Sequence, residues 1–248
     1  MTPSSDRAGD VRFEWRSAVA DDLLSLSRLH RTELDAPTLS VLRAQSWPDG
    51  LGLRLTSPAG QTALTGLRAA VMAGPDEPEP AELEVLAADF AAIYLNHALG
   101  ASPEESVWRD PDHLARQQPM FAVREWYRQH GVVAGDWRCC PDDHLSLELA
   151  FVAHLLSGAS EAGLGAAAGF LDQHPLRWVG AFARRVAERS DSPFYASLAL
   201  LTWAYLEELR ELLAAGFDLP RPEPVAEAAP PPVEPAPASY LPGCGPVL

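Results

Sequence analysis

Pro141-Asp142-Asp143-His144-Leu145-Ser146-Leu147-Glu148-Leu149-Ala150-Phe151-Val152-Ala153-His154-Leu155-Leu156 joins a dense polar cluster to an apolar run. Leu145, Leu149, Val152 and Leu156 recur at i, i+4, i+7 and i+11, the spacing that lays one stripe of an α-helix against a core. Asp142 or Asp143 is placed to cap that helix, because a short carboxylate accepts from free first-turn amides at the positive end of the helix dipole. Gly158 is placed to stop it. His144 and Glu148, four apart, share a helix face, so an imidazole and carboxylates are expected close together near one helix end, a setting suited to a cationic ligand.

The chain has 248 residues, 47% of them apolar, enough for a sizeable core. Its formal net charge of −15 argues against nucleic acid, which requires clustered Lys and Arg, and suits a basic peptide. Three cysteines, Cys139, Cys140 and Cys244, make no disulfide framework, and the amino terminus shows no apolar signal-peptide core. No run approaches the roughly 18 to 20 apolar residues that span a bilayer. The expectation is a soluble, cytoplasmic protein without membrane insertion.

Working outward, residues 1–10 read as a frayed start. Val19, Leu23, Leu26 and Leu29 mark a helix over about Ser17–Leu34 with Ser17 as cap. A short helix is expected over Pro37–Gln45, an extended segment at Leu51–Leu55, and a helix around Leu64, Leu67 and Val71. An acidic, proline-rich connector comes next at 74–80. Leu83, Leu86, Phe90, Ile93 and Tyr94 predict a helix closed by Gly100, and Ala101–Asp110 a polar loop. Another helix is expected from about Pro119 to Gly131. No element is assigned between Gly158 and Pro175. Trp178, Phe182 and Val186 then mark one helix, and Phe194, Leu198, Leu201, Tyr205 and Leu209 a last one, opened by Ser192-Pro193 and stopped at Gly216. The whole reads as all-α, a compact multi-helix domain over residues 17–217. It lies between a flexible amino terminus (1–16) and a disordered Pro/Ala-rich tail (218–248) of partly polyproline character.

Asp143, His144 and Glu148 have the residue types of a metal or acid/base set, with His113 or His154 as added ligands in a small metal-dependent hydrolase. The spacing gives one helical histidine with one carboxylate, short of a His-Glu-x-x-His pair, so a helix cap and a solvated face stand against it. Adjacent Cys139-Cys140 lack the spacer of common zinc or redox motifs and read as incidental thiols. Trp108, Trp126, Tyr127, Trp178 and Tyr195 are candidates for a peptide groove, although each taken alone suits a core. A helical scaffold whose tail docks on a partner is a third reading.

Asp89-Phe90-Ala91-Ala92-Ile93-Tyr94, Ser102-Pro103-Glu104-Glu105-Ser106-Val107-Trp108, Pro141-Asp142-Asp143-His144-Leu145, His174-Pro175-Leu176-Arg177-Trp178 and Pro193-Phe194-Tyr195 stand in this order. Together they resemble the motifs of the TorD/DmsD/NarJ family of redox-enzyme maturation chaperones, over roughly residues 83–213. Asn96 stands where that family commonly has Gly. The resemblance implies an all-α, non-enzymatic cytoplasmic chaperone with no catalytic residues, cofactor or metal site of its own. Its implied partner is the precursor of a molybdenum-cofactor oxidoreductase, recognised through a twin-arginine signal peptide, and a homodimer is compatible with it. Asp143 and His144 are the implied peptide-recognition residues, Glu148 a secondary acidic contact, and Ser106, Trp108 and Gly131 groove or loop positions.

Overall fold

The computed structural model describes residues 5–135, 137–158 and 160–223, with side chains from residue 14 onward. Ten α-helices form an all-α fold with no strand among the described residues. They are α1 (Ser5–Arg31), α2 (Ala36–Ala44), α3 (Pro58–Val71), α4 (Pro80–Phe90), α5 (Glu105–Arg109), α6 (Gln118–Gln129), α7 (Leu145–Ser157), α8 (Glu161–Gln173), α9 (Val179–Arg189) and α10 (Pro193–Phe217). A π-turn, Ala91–Leu95, extends α4, and a 3₁₀ turn, Pro175–Arg177, precedes α9. None of these helices is long and apolar enough to cross a membrane.

Leu145, Leu149, Val152 and Leu156 are all fully buried, and so are Val19, Leu23 and Leu26 on α1, the helix against which α7 mainly packs. At about 1.5–3 kcal/mol for each buried Leu or Val, this seam is a major favourable contribution to the fold. Helix α10 packs chiefly on α3 and α9, and its Leu198, Leu201, Tyr205 and Leu209 are fully buried.

Buried polar groups fix the angles between elements. His30, fully buried, bridges Tyr94 Oη (2.6 Å) and Thr202 Oγ1 (2.8 Å). Thr202 gives its own proton to the Leu198 carbonyl (2.8 Å), so it accepts from Nε2–H and Nδ1 accepts from Tyr94. Burial holds this imidazole neutral, with a pKa of about 3. Asp22 accepts from Gly52 N–H (2.7 Å), Leu53 N–H (3.3 Å) and Tyr205 Oη (2.6 Å), tying the extended segment to α1 and α10.

The structure departs from expectation at several places. Helix α1 begins at Ser5, so Ser17 lies within the helix and does not cap it; residues 1–4 lie outside the described residues. The fourth helix gives way to the π-turn and ends at Leu95, ahead of Gly100. The loop expected over Ala101–Asp110 contains α5. Gly158 does not adopt a left-handed stop (φ −68°). Buried Arg16 closes α7 in its place, donating to the carbonyls of Leu156 (2.9 Å), Gly158 and Ser160 (3.1 Å). The tail from residue 224 lies outside the described residues.

Helix α8 was concealed by its glycines, which disfavour an isolated helix by about 1 kcal/mol each. Packing demands one of them: a Cβ on Gly163 would lie 2.4 Å from the Leu155 carbonyl oxygen, whereas one on Gly165 meets only a Leu219 methyl at 4.0 Å. Gly163→Ala is therefore expected to lower stability by about 1–3 kcal/mol and Gly165→Ala to raise it by up to about 1 kcal/mol. Urea denaturation of the two variants checks this, and equal or same-sign effects would show that packing does not decide which glycine is needed.

Candidate functional site

Two short segments, far apart in sequence, are clasped together in front of α7. Backbone hydrogen bonds run from Glu105 N–H to the Asp143 carbonyl (3.0 Å) and from Leu145 N–H to the Pro103 carbonyl (2.8 Å), with Glu104 and His144 paired antiparallel between them. Asp143 Oδ2 accepts from Ser106 N–H (2.8 Å) and Ser106 Oγ (2.5 Å), so Asp143 serves the first turn of α5. Ser106 Oγ in turn accepts from Gln117 N–H (3.1 Å).

The expected cap on α7 is thereby corrected. His144 is the N-cap residue, its Nδ1 accepting from Ser146 N–H (3.1 Å), because the carboxylate of Asp143 is turned to the neighbouring segment. Burial and the nearby Arg31 charge depress the His144 pKa to about 3, so the ring is a neutral acceptor. Asp142 is held by Arg124, and its carbonyl accepts from Tyr127 Oη (2.9 Å).

Beneath the clasp lies a buried acid cluster. Glu105, fully buried, is bonded by Arg109, and His174 Nδ1 lies 2.8 Å from its Oε2. Fully buried Glu148 accepts from Trp178 Nε1–H (3.1 Å), while its Oε1 has no donor. Burial pushes the Glu148 carboxyl well above the usual carboxylate range, and Glu105 and Asp143 push it the same way. Its surroundings therefore favour the protonated form. Burial also raises Asp143, against the opposing bonds from Ser106.

The structure thus brings Asp143, His144, Glu148 and Ser106 together, but it buries the carboxylates and does not present them on a helix face to a cationic ligand. Of the four, His144 lines an open pocket of about 320 Å³ with Phe90, Tyr94, Leu95, Pro103 and Glu104. Arg31, His97, Arg116, Cys139, Cys140 and Pro141 complete the lining. Glu104 is raised to about 7 by burial and by Asp143, and burial pushes the Cys140 thiol up to about 11. Trp108 is half-buried beside Arg185, and Gly131 makes an exposed left-handed turn after α6 (φ 70°); neither lines the pocket. Trp178, Tyr195 and Tyr127 are core residues.

Arg31, Arg116 and Glu104 were missed as pocket residues. Glu104 stood inside a recognised motif, but nothing in the sequence signals that the end of α1 meets that motif. His113, which bonds the Val107 carbonyl (2.9 Å), and His154 are exposed and join neither Asp143 nor Glu148. Among the described residues no cluster of three or more His, Cys, Asp or Glu is arranged to hold a metal ion.

Residues 55–184 match the family model described as nitrate reductase delta subunit. The chain is 33% identical over 144 residues to the Chaperone protein TorD of Vibrio cholerae serotype O1, a match covering 54% of this chain and 64% of that protein. It is 32% identical over 136 residues to the Chaperone protein TorD of Vibrio vulnificus, covering 51% and 63%. A third relative, the Probable Tat proofreading chaperone DmsD of Haemophilus influenzae, is 29% identical over 110 residues, covering 44% and 52%. The chain thus spans less than two thirds of the length of these relatives.

The raised Glu148 carboxyl fixes the sign of a pH dependence. Its contribution to stability is fully present below the unfolded carboxyl pKa and is lost as pH rises above it, because only the unfolded chain then releases the proton freely. Glu148→Gln, which keeps the shape without the titration, is expected to gain on the parent as pH rises from 5 to 8, by up to about 1.4 kcal/mol per pH unit. Denaturation curves of the pair across that range check it; a constant difference would mean that Glu148 ionises in the fold.

Proposed function

Because the chain belongs to the nitrate reductase delta subunit family, the TorD/NarJ group, we propose that it acts as a chaperone and not as an enzyme. Its client is the precursor of a molybdenum-cofactor oxidoreductase, bound in the cytoplasm through a twin-arginine signal peptide before export or assembly. The observation that carries this reading is the clasp, which joins two of the motifs that carry the resemblance at the wall of one open pocket.

The pocket's chemistry suits an extended peptide. Phe90, Leu95, Pro103 and Pro141 accept an apolar side chain, and Arg31 and Arg116 offer donors to peptide carbonyls. Glu104, raised to about 7 by burial and Asp143, titrates within reach of neutral pH, and an approaching guanidinium favours its carboxylate form. The net charge of −15 steers a basic segment toward the molecule. His144 touches the peptide, while Asp143, Ser106 and Glu148 hold the pocket wall from beneath. Trp108 and Gly131 shape the loops on either side.

Calorimetry with a synthetic twin-arginine signal peptide tests the reading. Binding is expected, weaker in high salt, and reduced at least about tenfold, or ~1.4 kcal/mol, by His144→Ala and by Leu95→Asp at the exposed rim. Asp143→Ala is expected to weaken it as well by loosening the clasp. Absence of binding to any such peptide or precursor by the folded parent chain would overturn the proposal.

A further inference from the structure

Between buried Tyr94 and buried Ala101 the chain lacks an apolar anchor: residues 95–98 and 100 are exposed, Leu95 at 66%. This strap nevertheless keeps a defined path. Asn96 N–H and Leu99 N–H reach back to the carbonyls of Ala91 (2.9 Å) and Ala92 (3.3 Å), and Gly100 N–H bonds the His97 carbonyl (2.8 Å). Both His97 (φ 54°) and Gly100 (φ 61°) are left-handed. Such backbone at a residue other than glycine costs about 1–3 kcal/mol and persists only where its surroundings impose it.

Two guanidiniums of α9 supply those surroundings. Arg185 Nη1 donates to the Gly100 carbonyl (3.1 Å) and Arg189 Nη1 to the Leu99 carbonyl (2.8 Å). A Cβ on Gly100 would lie 3.3 Å from Arg189 Nη1 and 3.5 Å from Arg185 Nη1, so glycine lets both cations approach. Helix α9 is a firm frame for them, since its Val179, Phe182, Ala183 and Val186 are fully buried. Just beyond its end, Asp191 N–H (3.2 Å) and Ser192 N–H (2.6 Å) donate to Asp89 of α4.

Arg185 also meets the clasp. Its guanidinium carbon lies 5.5 Å from the ring centre of Trp108 in α5, and Trp108 Nε1–H donates to the Ser102 carbonyl (2.8 Å). One side chain therefore touches both the strap, which gives the pocket Leu95 and His97, and the clasp segment, which gives it Pro103 and Glu104. Arg185 itself does not line the pocket.

We infer that Arg185, with Arg189 beside it, is a positioning residue that sets the pocket's specificity: it fixes the spacing between the apolar contact at Leu95 and the acid at Glu104, and a bound segment must match that spacing. The inference rests on the reading of the pocket as a peptide site. Trp108 is the ring against which the spacing is held.

Two synthetic twin-arginine peptides test it by calorimetry, one unaltered and one with a glycine inserted between the arginine pair and the first apolar residue, which moves that residue by about 3.4 Å in an extended chain. The parent chain is expected to prefer the unaltered peptide by about tenfold, and Arg185→Ala and Trp108→Ala each to cut the preference to about threefold or less. A general loss of stability would weaken both peptides alike and leave their ratio unchanged. Without peptide, the Leu99 and Gly100 amides are expected to exchange about threefold or more faster in Arg185→Ala, with those of Leu149 and Val152 in α7 unaffected. An unchanged preference in Arg185→Ala, equal binding of the two peptides by the parent chain, or unchanged Leu99 and Gly100 amides overturns the inference alone. A parent chain that binds neither peptide overturns the peptide reading and the inference together.

Discussion

The bond pair from Ser106 to Asp143 joins the two segments that meet in front of α7. Asp143 precedes α7, the helix that carries the core seam, and Ser106 belongs to a five-residue helix too short to persist alone. Joining them transfers the rigidity of the core to the segment 102–109, and the bond from Gln117 to Ser106 Oγ passes it on to the approach to α6. Pro103, Glu104, Pro141 and His144 become one wall because these two polar side chains meet in a buried place.

The arrangement costs stability, which is informative about what it is for. Three acidic side chains, Glu105, Asp143 and Glu148, are fully buried near His174, and burial raises the carboxyls of Glu148 and Asp143 above the usual range. An apolar core of the same volume would be at least as stable. The acid cluster instead links α5, α7, the 3₁₀ turn and α9 through four particular partners: Arg109 and His174 on Glu105, Trp178 on Glu148 and Ser106 on Asp143.

Much of the fold was legible in the sequence because helical periodicity and burial agree. The stripes on α1, α7 and α10 are the core, and Ser192-Pro193 opens the last helix as expected. Where local signals and tertiary packing diverge, the sequence misleads. The glycines of α8 look like breakers, yet Gly163 is present because α7 presses against it. Asp142 and Asp143 look like caps, yet their oxygens serve Arg124 and Ser106 across the fold, and the cap passes to His144. The motif residues Asp143, His144, Glu148 and Ser106 do form one set, but a buried one: exposure cannot be read from spacing. Arg31 and Arg116 reach the pocket from segments whose local pattern says nothing about it.

If Ser106 and Asp143 act as one unit that builds the pocket wall, their substitutions must be strongly coupled. A double-mutant cycle with Ser106→Ala and Asp143→Asn, read by urea unfolding and by the exchange rate of the Glu105 amide, decides this. The expected interaction energy is about 1–3 kcal/mol, with the Glu105 amide losing its protection in either single variant and little more in the double. Additive effects, or a Glu105 amide that stays protected in both single variants, would mean that the wall stands without this bond pair.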